Sequence, residues 1–283
     1  MPAVLIDPHT HSNLSDGTQS PTDLVGAARD AGIGVLGLTD HDTWDGWDEA
    51  AAAATSTGVA LLRGAELSTS VGGISVHLLS YLHDPHDAAL LAAAERSRRS
   101  RLDRARVMVE RIGADYGLTW EEVVAHVEPG ATVGRPHIAD ALAARGDVPD
   151  RSAAFDTILA GRGPYYVPYD APDAVAAVAM VRAAGGVPVM AHPRAGARGR
   201  IVTDGVIEEM AAAGLAGLEV EHRDHDDDAR RHLRELAASL SLFVTGSSDY
   251  HGAGKPNRLG ENVTAPQVLE QIAAEGRTPM VTP

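Results

Sequence analysis

The sequence predicts an α/β fold in which a largely parallel sheet is interrupted by a helical insertion. Three observations lead there. Short β-type runs alternate with Ala-rich helical stretches, the signature of strands joined by helical crossovers. The rhythm stops between residues 88 and 165, where helix follows helix without a strand-like run. Metal-competent side chains recur where the apolar runs give out, the place where barrel enzymes build their chemistry.

Strands are expected at 3–6 (AVLI), 35–38 (VLGL), 60–67 (ALLRGAEL), 74–80 (ISVHLLS), 187–191 (VPVMA), 217–220 (GLEV) and 242–247 (LFVTGS). Helices are expected over 21–31, 45–57, 172–184, 204–213, 226–239 and 266–275. Ser20-Pro21 reads as an N-cap followed by a first-turn proline, and Ala171-Pro172-Asp173 puts proline and an acid into another first turn. Residues 88–165 then form a capping insertion between the fourth and fifth strands. Residues 1–87 and 166–283 form the main domain, its sheet open or closed into a barrel.

The chain has 283 residues, is 44% hydrophobic and contains no cysteine. It can bury a substantial core, but it has no disulfides, thiolate nucleophiles or cysteine-type zinc sites, so any metal falls to His, Asp or Glu. A net charge of −15 argues against an extended basic face for long or duplex nucleic acid. It does not argue against a small anionic substrate, because bound divalent cations reverse the local field. No basic stretch followed by a long apolar run is seen near the start, and AVAAVAMV (174–181) is far short of the ~20 residues that span a bilayer. A cytoplasmic protein without membrane contact is expected.

The functional signal is positional. AVLID is followed by His9 and His11, with Asp16 in a Ser-Asp-Gly turn, and VLGLT by Asp40, His41 and Asp42. Glu66 ends the third run and His77 lies within the fourth. VPVMA leads into His192, GLEV into Glu221-His222, and LFVTGSS into Asp249-Tyr250-His251. Residues i and i+2 of an extended chain point to the same side, so His9 and His11 can converge on one ion, as can Asp249 and His251. One His-x-His pair alone is ordinarily a hydrogen-bonded loop feature. Five clusters at strand ends, without thiols, predict a multinuclear metal site.

Here the chain resembles the polymerase-and-histidinol-phosphatase (PHP) phosphoesterases. The matching pieces are Asp7-Pro8-His9-Thr10-His11 with Ser15-Asp16-Gly17, Thr39-Asp40-His41-Asp42, Gly64-Ala65-Glu66, His77, Ala191-His192-Pro193 and Ser248-Asp249-Tyr250-His251-Gly252, in the family's order. The resemblance implies a distorted seven-stranded, TIM-like β/α barrel and two or three divalent ions, Mn, Fe or Zn. His9, His11, Glu66 and Asp249 would hold one ion, and Glu66 would bridge to a second held by His77 and His192. Asp16, His41 and His251 would hold a third and support a metal-bound hydroxide as nucleophile.

Other residues are weighed beside these. Asp7 and Asp42 are expected to orient ligand histidines. His222, next to a Glu221 where relatives often carry an aromatic residue, is either a substrate contact or a group that supports the ligands from one step out or faces solvent. Gly134-Arg135-Pro136-His137-Ile138-Ala139 resembles a segment of the branch acting on nucleotides, which makes Arg135 and His137 substrate-binding candidates; otherwise they cap the following helix. Arg96, Arg98, Arg99, Arg101, Arg104, Arg106 and Arg111 crowd one helix, and one or two of them are placed to reach an anion. Tyr165-Tyr166 either stacks on a base or returns to a core. The Gly32–Gly37 match to G-x-G-x-x-G precedes a strand and lacks dinucleotide context, and the Asn262-Val263-Thr264 sequon has no secretory setting.

The expected activity is metal-dependent hydrolysis of a phosphate ester, on a 3′,5′-bisphosphonucleotide, a nucleoside monophosphate or the 5′ end of a short RNA. Histidinol phosphate is the sister alternative. An amidohydrolase would carry a carboxylated lysine, and the only lysine is Lys255. A non-catalytic PHP module would have lost ligands that this chain keeps.

Overall fold

The computed structural model describes residues 4–129, 131–161 and 163–283. The elements run β1 (Leu5–Thr10), α1 (Pro21–Asp30), β2 (Ile33–Leu38), α2 (Trp47–Thr57), β3 (Ala60–Val71), β4 (Ile74–Tyr81), α3 (Ala88–Tyr116), α4 (Trp120–Val124) and α5 (Arg135–Arg145). They continue with α6 (Arg151–Asp156), α7 (Ala174–Ala183), β5 (Val187–Met190), α8 (Asp204–Ala212), β6 (Gly217–Glu221), α9 (Asp227–Ser239), β7 (Phe243–Gly246) and α10 (Pro266–Glu275). Local chemistry sets several boundaries. Ser20 accepts from the Asp23 amide at 3.1 Å to open α1, and Asp173 caps α7 through the Val175 and Ala176 amides.

The seven strands form one sheet in chain order, β1 to β7. All neighbouring pairs are parallel except those made by β4, which is antiparallel to both β3 and β5. The sheet is thus largely parallel, as expected, with one reversed strand where no helix was expected between the third and fourth runs. The cause is local: β3 runs on to Val71 and turns through Gly72 and Gly73, whose φ values of 56° and 74° lie in the left-handed region that a two-residue hairpin requires. Because β4 runs backwards, His77 belongs to its first half and lies opposite Ser68, close to Glu66 on β3.

The first and last strands come together at the end where the motifs fall. Thr10 bridges Tyr250 in parallel, and the His11 amide donates to the Tyr250 carbonyl at 2.9 Å. Sheet residues pack outward against helices. Leu36, Leu38 and Leu61 meet Leu24 and Val25 of α1 and Ala53 and Ala54 of α2. Leu78, Met190 and Leu218 meet Val178 of α7, Ile207 of α8 and Leu233 of α9. The helices of the insertion bury a separate apolar cluster built on Met108, Ile112, Val123, Ile138, Leu142 and Leu159. Among the described residues no helix is long and apolar enough to cross a membrane.

Candidate metal centre

The period of the extended chain puts His9, in β1, and His11, just after it, on one side. Their Nε2 atoms face each other at 3.0 Å. Glu66 Oε2 lies 3.2 and 3.1 Å from them, and Asp249 Oδ1 lies 3.5 and 3.4 Å away. The other oxygen of Glu66 meets His77 Nδ1 at 2.7 Å and His192 Nε2 at 3.1 Å. On the far side, Asp16 Oδ1 is 3.2 Å from His251 Nε2 and 3.8 Å from His11 Nδ1, and Asp16 Oδ2 is 3.9 Å from His41 Nε2. All nine motif residues therefore meet in one place. Three sets have ligand atoms within 4.8 Å of one another: His9, His11, Glu66 and Asp249; His11, Asp16, His41 and His251; and His41, Glu66 and His77.

Electrostatics prepares these groups for cations. Burial alone would raise the pKa of Glu66, Asp16 and Asp249, but contacts with neighbouring basic side chains hold each well below the carboxylate range. Those groups are His41, His77 and His9 for Glu66, His251 and His41 for Asp16, and Lys255 and Arg198 for Asp249. Burial pushes His192 down to about 3 and His251 to about 4, and holds His41 well below its usual value. His9 and His11 go the other way. Burial opposes their protonation, yet the carboxylates around them win, and His11 rises to about 9. Ionised carboxylates beside neutral imidazoles are the protonation state of metal ligands. His41 Nδ1 and His251 Nε2 are buried and lack hydrogen-bond partners, and two Nε2 atoms pointing at each other call for a shared cation. The donor set fits divalent ions.

Backbone strain marks the same place. His192 and Asp249 adopt positive φ, 30° and 52°, a conformation that persists at active sites when the surroundings dictate it. Glu219 of β6 is the main support. Its Oε1 meets His9 Nδ1 at 2.9 Å and also accepts from the Ser247 hydroxyl, while Oε2 accepts the His192 amide at 2.8 Å. Asp40 accepts from the Ser12 amide and the Ser12 and Ser15 hydroxyls, fixing the loop that carries Asp16. Gly17 closes that loop so tightly that a side chain would overlap the His11 carbonyl.

Asp7 and Asp42, expected to orient ligand histidines, make other contacts. Asp7 accepts the Ser248 and Gly260 amides, so it secures the last loop. Asp42 accepts from Ser68 and pairs with Arg101 at 3.1 Å. Glu219 does the orienting instead; the signal was an acid inside an otherwise apolar strand. His222 is buried rather than solvated, with Nε2 unpartnered and 3.6 Å from Asp249 Oδ2. Arg198 and Lys255, absent from the expected site, contact the same Asp249 oxygen at 2.7 and 3.2 Å. His137 Nδ1 accepts the Gly134 amide at 3.1 Å, a cap for α5, while the Arg135 guanidinium lies 5.1 Å from the Phe155 ring centre.

The chain is similar to known proteins. The PHP domain family matches residues 7–102. A 3′,5′-nucleoside bisphosphate phosphatase of Chromobacterium violaceum is 33% identical over 272 residues, covering 95% of each chain. A 5′-3′ exoribonuclease of Haemophilus influenzae is 33% identical over 261 residues, covering 91% of this chain and 93% of its own. A crystal structure from Bifidobacterium adolescentis, of a protein assigned as a metal-dependent phosphoesterase, superposes with a TM-score of 0.94 at 42% identity, covering 97% of each chain. Full-length similarity, a shared fold and a buried His/Asp/Glu cluster make the chain a member of the PHP family of metal-dependent phosphoesterases.

Proposed function

We propose that this phosphoesterase acts on a small nucleotide carrying a second phosphate, a 3′,5′-bisphosphonucleotide, or on the 5′ end of a short RNA. The observation that carries this is a group of arginines in the insertion with too few acids to neutralise them. Arg104 packs over the rings of Tyr166 and Tyr169 at 5.3 and 5.0 Å, and Arg101 over Tyr169 at 5.5 Å. Burial and the neighbouring Arg135 and Arg101 pull Arg104 down to about 10. Among the described residues neither Arg104 nor Arg135 has an ion-pair partner, while Arg101 reaches Asp42 and Ser68 beside the metal ligands His41 and Glu66. Crowded, desolvated guanidiniums are costly unless an anion joins them, and their planar forks suit phosphate. The two curated relatives act, by name, on a nucleoside bisphosphate and on RNA.

In this reading His9, His11, Glu66 and Asp249 hold one divalent ion, Glu66 with His77 and His192 a second, and Asp16, His41 and His251 a third, drawn from Mn, Fe or Zn. Bound there, such ions supply an acidic water as nucleophile and positive charge for the phosphoryl oxygens. The chain does the rest. Arg101, Arg104 and Arg135 hold the second phosphate, Tyr166 and Tyr169 keep those guanidiniums in place, and His222, Arg198 and Lys255 line the Asp249 side. Residues 88–165 act as the cap. Residues 1–87 and 166–283 form a distorted barrel, supported by the bridge between Thr10 and Tyr250.

The test is kcat/KM across a length series from bisphosphonucleotide to long and duplex RNA at two salt concentrations, with histidinol phosphate and an amide as controls. The shortest substrates are expected to be fastest with a shallow salt dependence. Arg135→Ala is expected to raise KM about tenfold to a hundredfold, the cost of one charge-assisted contact of ~1.5–3 kcal/mol. Efficiency climbing with length, with a steep salt slope, would contradict the proposal.

A further inference from the structure

The insertion also grips the loops that carry one part of the metal cluster. Thr132, between α4 and α5, is buried; its amide donates to the Leu14 carbonyl at 3.1 Å and its hydroxyl to the His41 carbonyl at 3.0 Å. Arg151 opens α6. Asp140 of α5 holds its guanidinium through two contacts of 2.7 and 2.5 Å, which leaves Nη1 to donate to the Asp16 carbonyl at 3.0 Å. The same guanidinium lies against Gly254, just past His251, so closely that a Cβ there would overlap it. Asp16 and His41 are thus held by hydrogen bonds from the insertion to their own carbonyls, and the His251 loop is held by packing.

The other donors are supported differently. His9 and His192 lean on Glu219 of β6, and His77 and Glu66 lie in paired strands. We infer that Thr132 and Arg151 are positioning residues for the cation held by Asp16, His41 and His251, so that this ion is bound jointly by sheet and insertion while the others belong to the sheet. The inference rests on the ligand assignment proposed above. Asp16 sits in an irregular loop, where small displacements of a ligand atom are most easily made and are costly for coordination. Hydrogen bonds one step out from a ligand ordinarily change metal affinity 10–100-fold.

The experiment titrates the metal-free full chain with Mn²⁺, counting bound ions by elemental analysis at fixed free Mn²⁺ and resolving affinities by calorimetry. Thr132→Val and Arg151→Met are each expected to weaken one ion about 10–100-fold and leave the rest unchanged. Thr132→Ser should restore wild-type binding, and Asp16→Asn should remove that same ion. Thermal unfolding of the metal-free variants separates folding from coordination. If Asp16→Asn loses an ion while Thr132→Val and Arg151→Met keep it, or weaken every ion alike, the inference fails and the ligand assignment survives. If Asp16→Asn loses none, the assignment fails and takes the inference with it.

Discussion

His9 and His83 are both fully buried, yet they carry opposite charge states. His9 sits among Glu219, Glu66 and Asp249, and their fields outweigh the cost of burial and hold its pKa well above normal. His83 lies just past the end of β4, between the rings of Trp44 and Trp47 at 4.7 and 4.8 Å, and burial pushes it down to about 4. Its Nδ1 meets the Ser80 hydroxyl at 2.8 Å, while Nε2 is buried with no hydrogen-bond partner. His41 and His251 also have an unpartnered ring nitrogen, but theirs face carboxylates. A bare buried imidazole nitrogen points to a metal only in company with such acids. Convergent carboxylates are what make the difference.

Removing the shared carboxylate should break this contrast most severely. Glu66→Gln takes charge from a side chain that touches His9, His11, His41, His77 and His192. Two ions are expected to be lost together, with activity falling by more than the ~100-fold ceiling typical of groups one step further out. Unchanged metal content and activity would return Glu66 to a structural role.

A smaller effect sharpens the comparison from the metal side. His9 and His11 hold protons in the metal-free chain, His11 up to about pH 9, and an ion must displace them. Ion uptake near pH 7.5 is expected to release protons, and affinity should rise with pH until His11 is neutral. Calorimetry in buffers of different ionisation enthalpy measures the release; none would place the protons elsewhere.

The mildest effect belongs to His83. Its folded pKa, about 4, lies below the ordinary 6.5, so the unfolded chain takes up the proton first as pH falls. This group's contribution is complete above about pH 6.5 and is lost progressively towards pH 4, on the order of 3 kcal/mol at most. Urea unfolding of wild type and His83→Gln should converge as the pH drops through that window; curves that stay parallel would deny His83 the role.

Much of the centre was legible because its information is local. The i, i+2 spacing of His9 and His11, the acids and histidines at the ends of apolar runs, and the cap of α1 act over a few residues, whereas Asp173, expected in the first turn of α7, is its N-cap. The reversal of β4 was also written locally, in Val71-Gly72-Gly73-Ile74 between two β runs with no helical stretch separating them. Asp7 and Asp42 were misread because proximity in sequence to a histidine says nothing about where a carboxylate points.

What the sequence by itself determined is the set of metal-competent side chains and their delivery by strand ends, since backbone period and strand termini are properties of short segments. Only the tertiary structure decided which carboxylate supports His9, that Arg104 and Arg135 lack acidic partners among the described residues, and that Thr132 and Arg151 reach the Leu14, Asp16 and His41 carbonyls. Those facts depend on contacts between residues tens to hundreds of positions apart. Burial then sets their strength, because desolvation and Coulomb attraction act through space rather than along the chain.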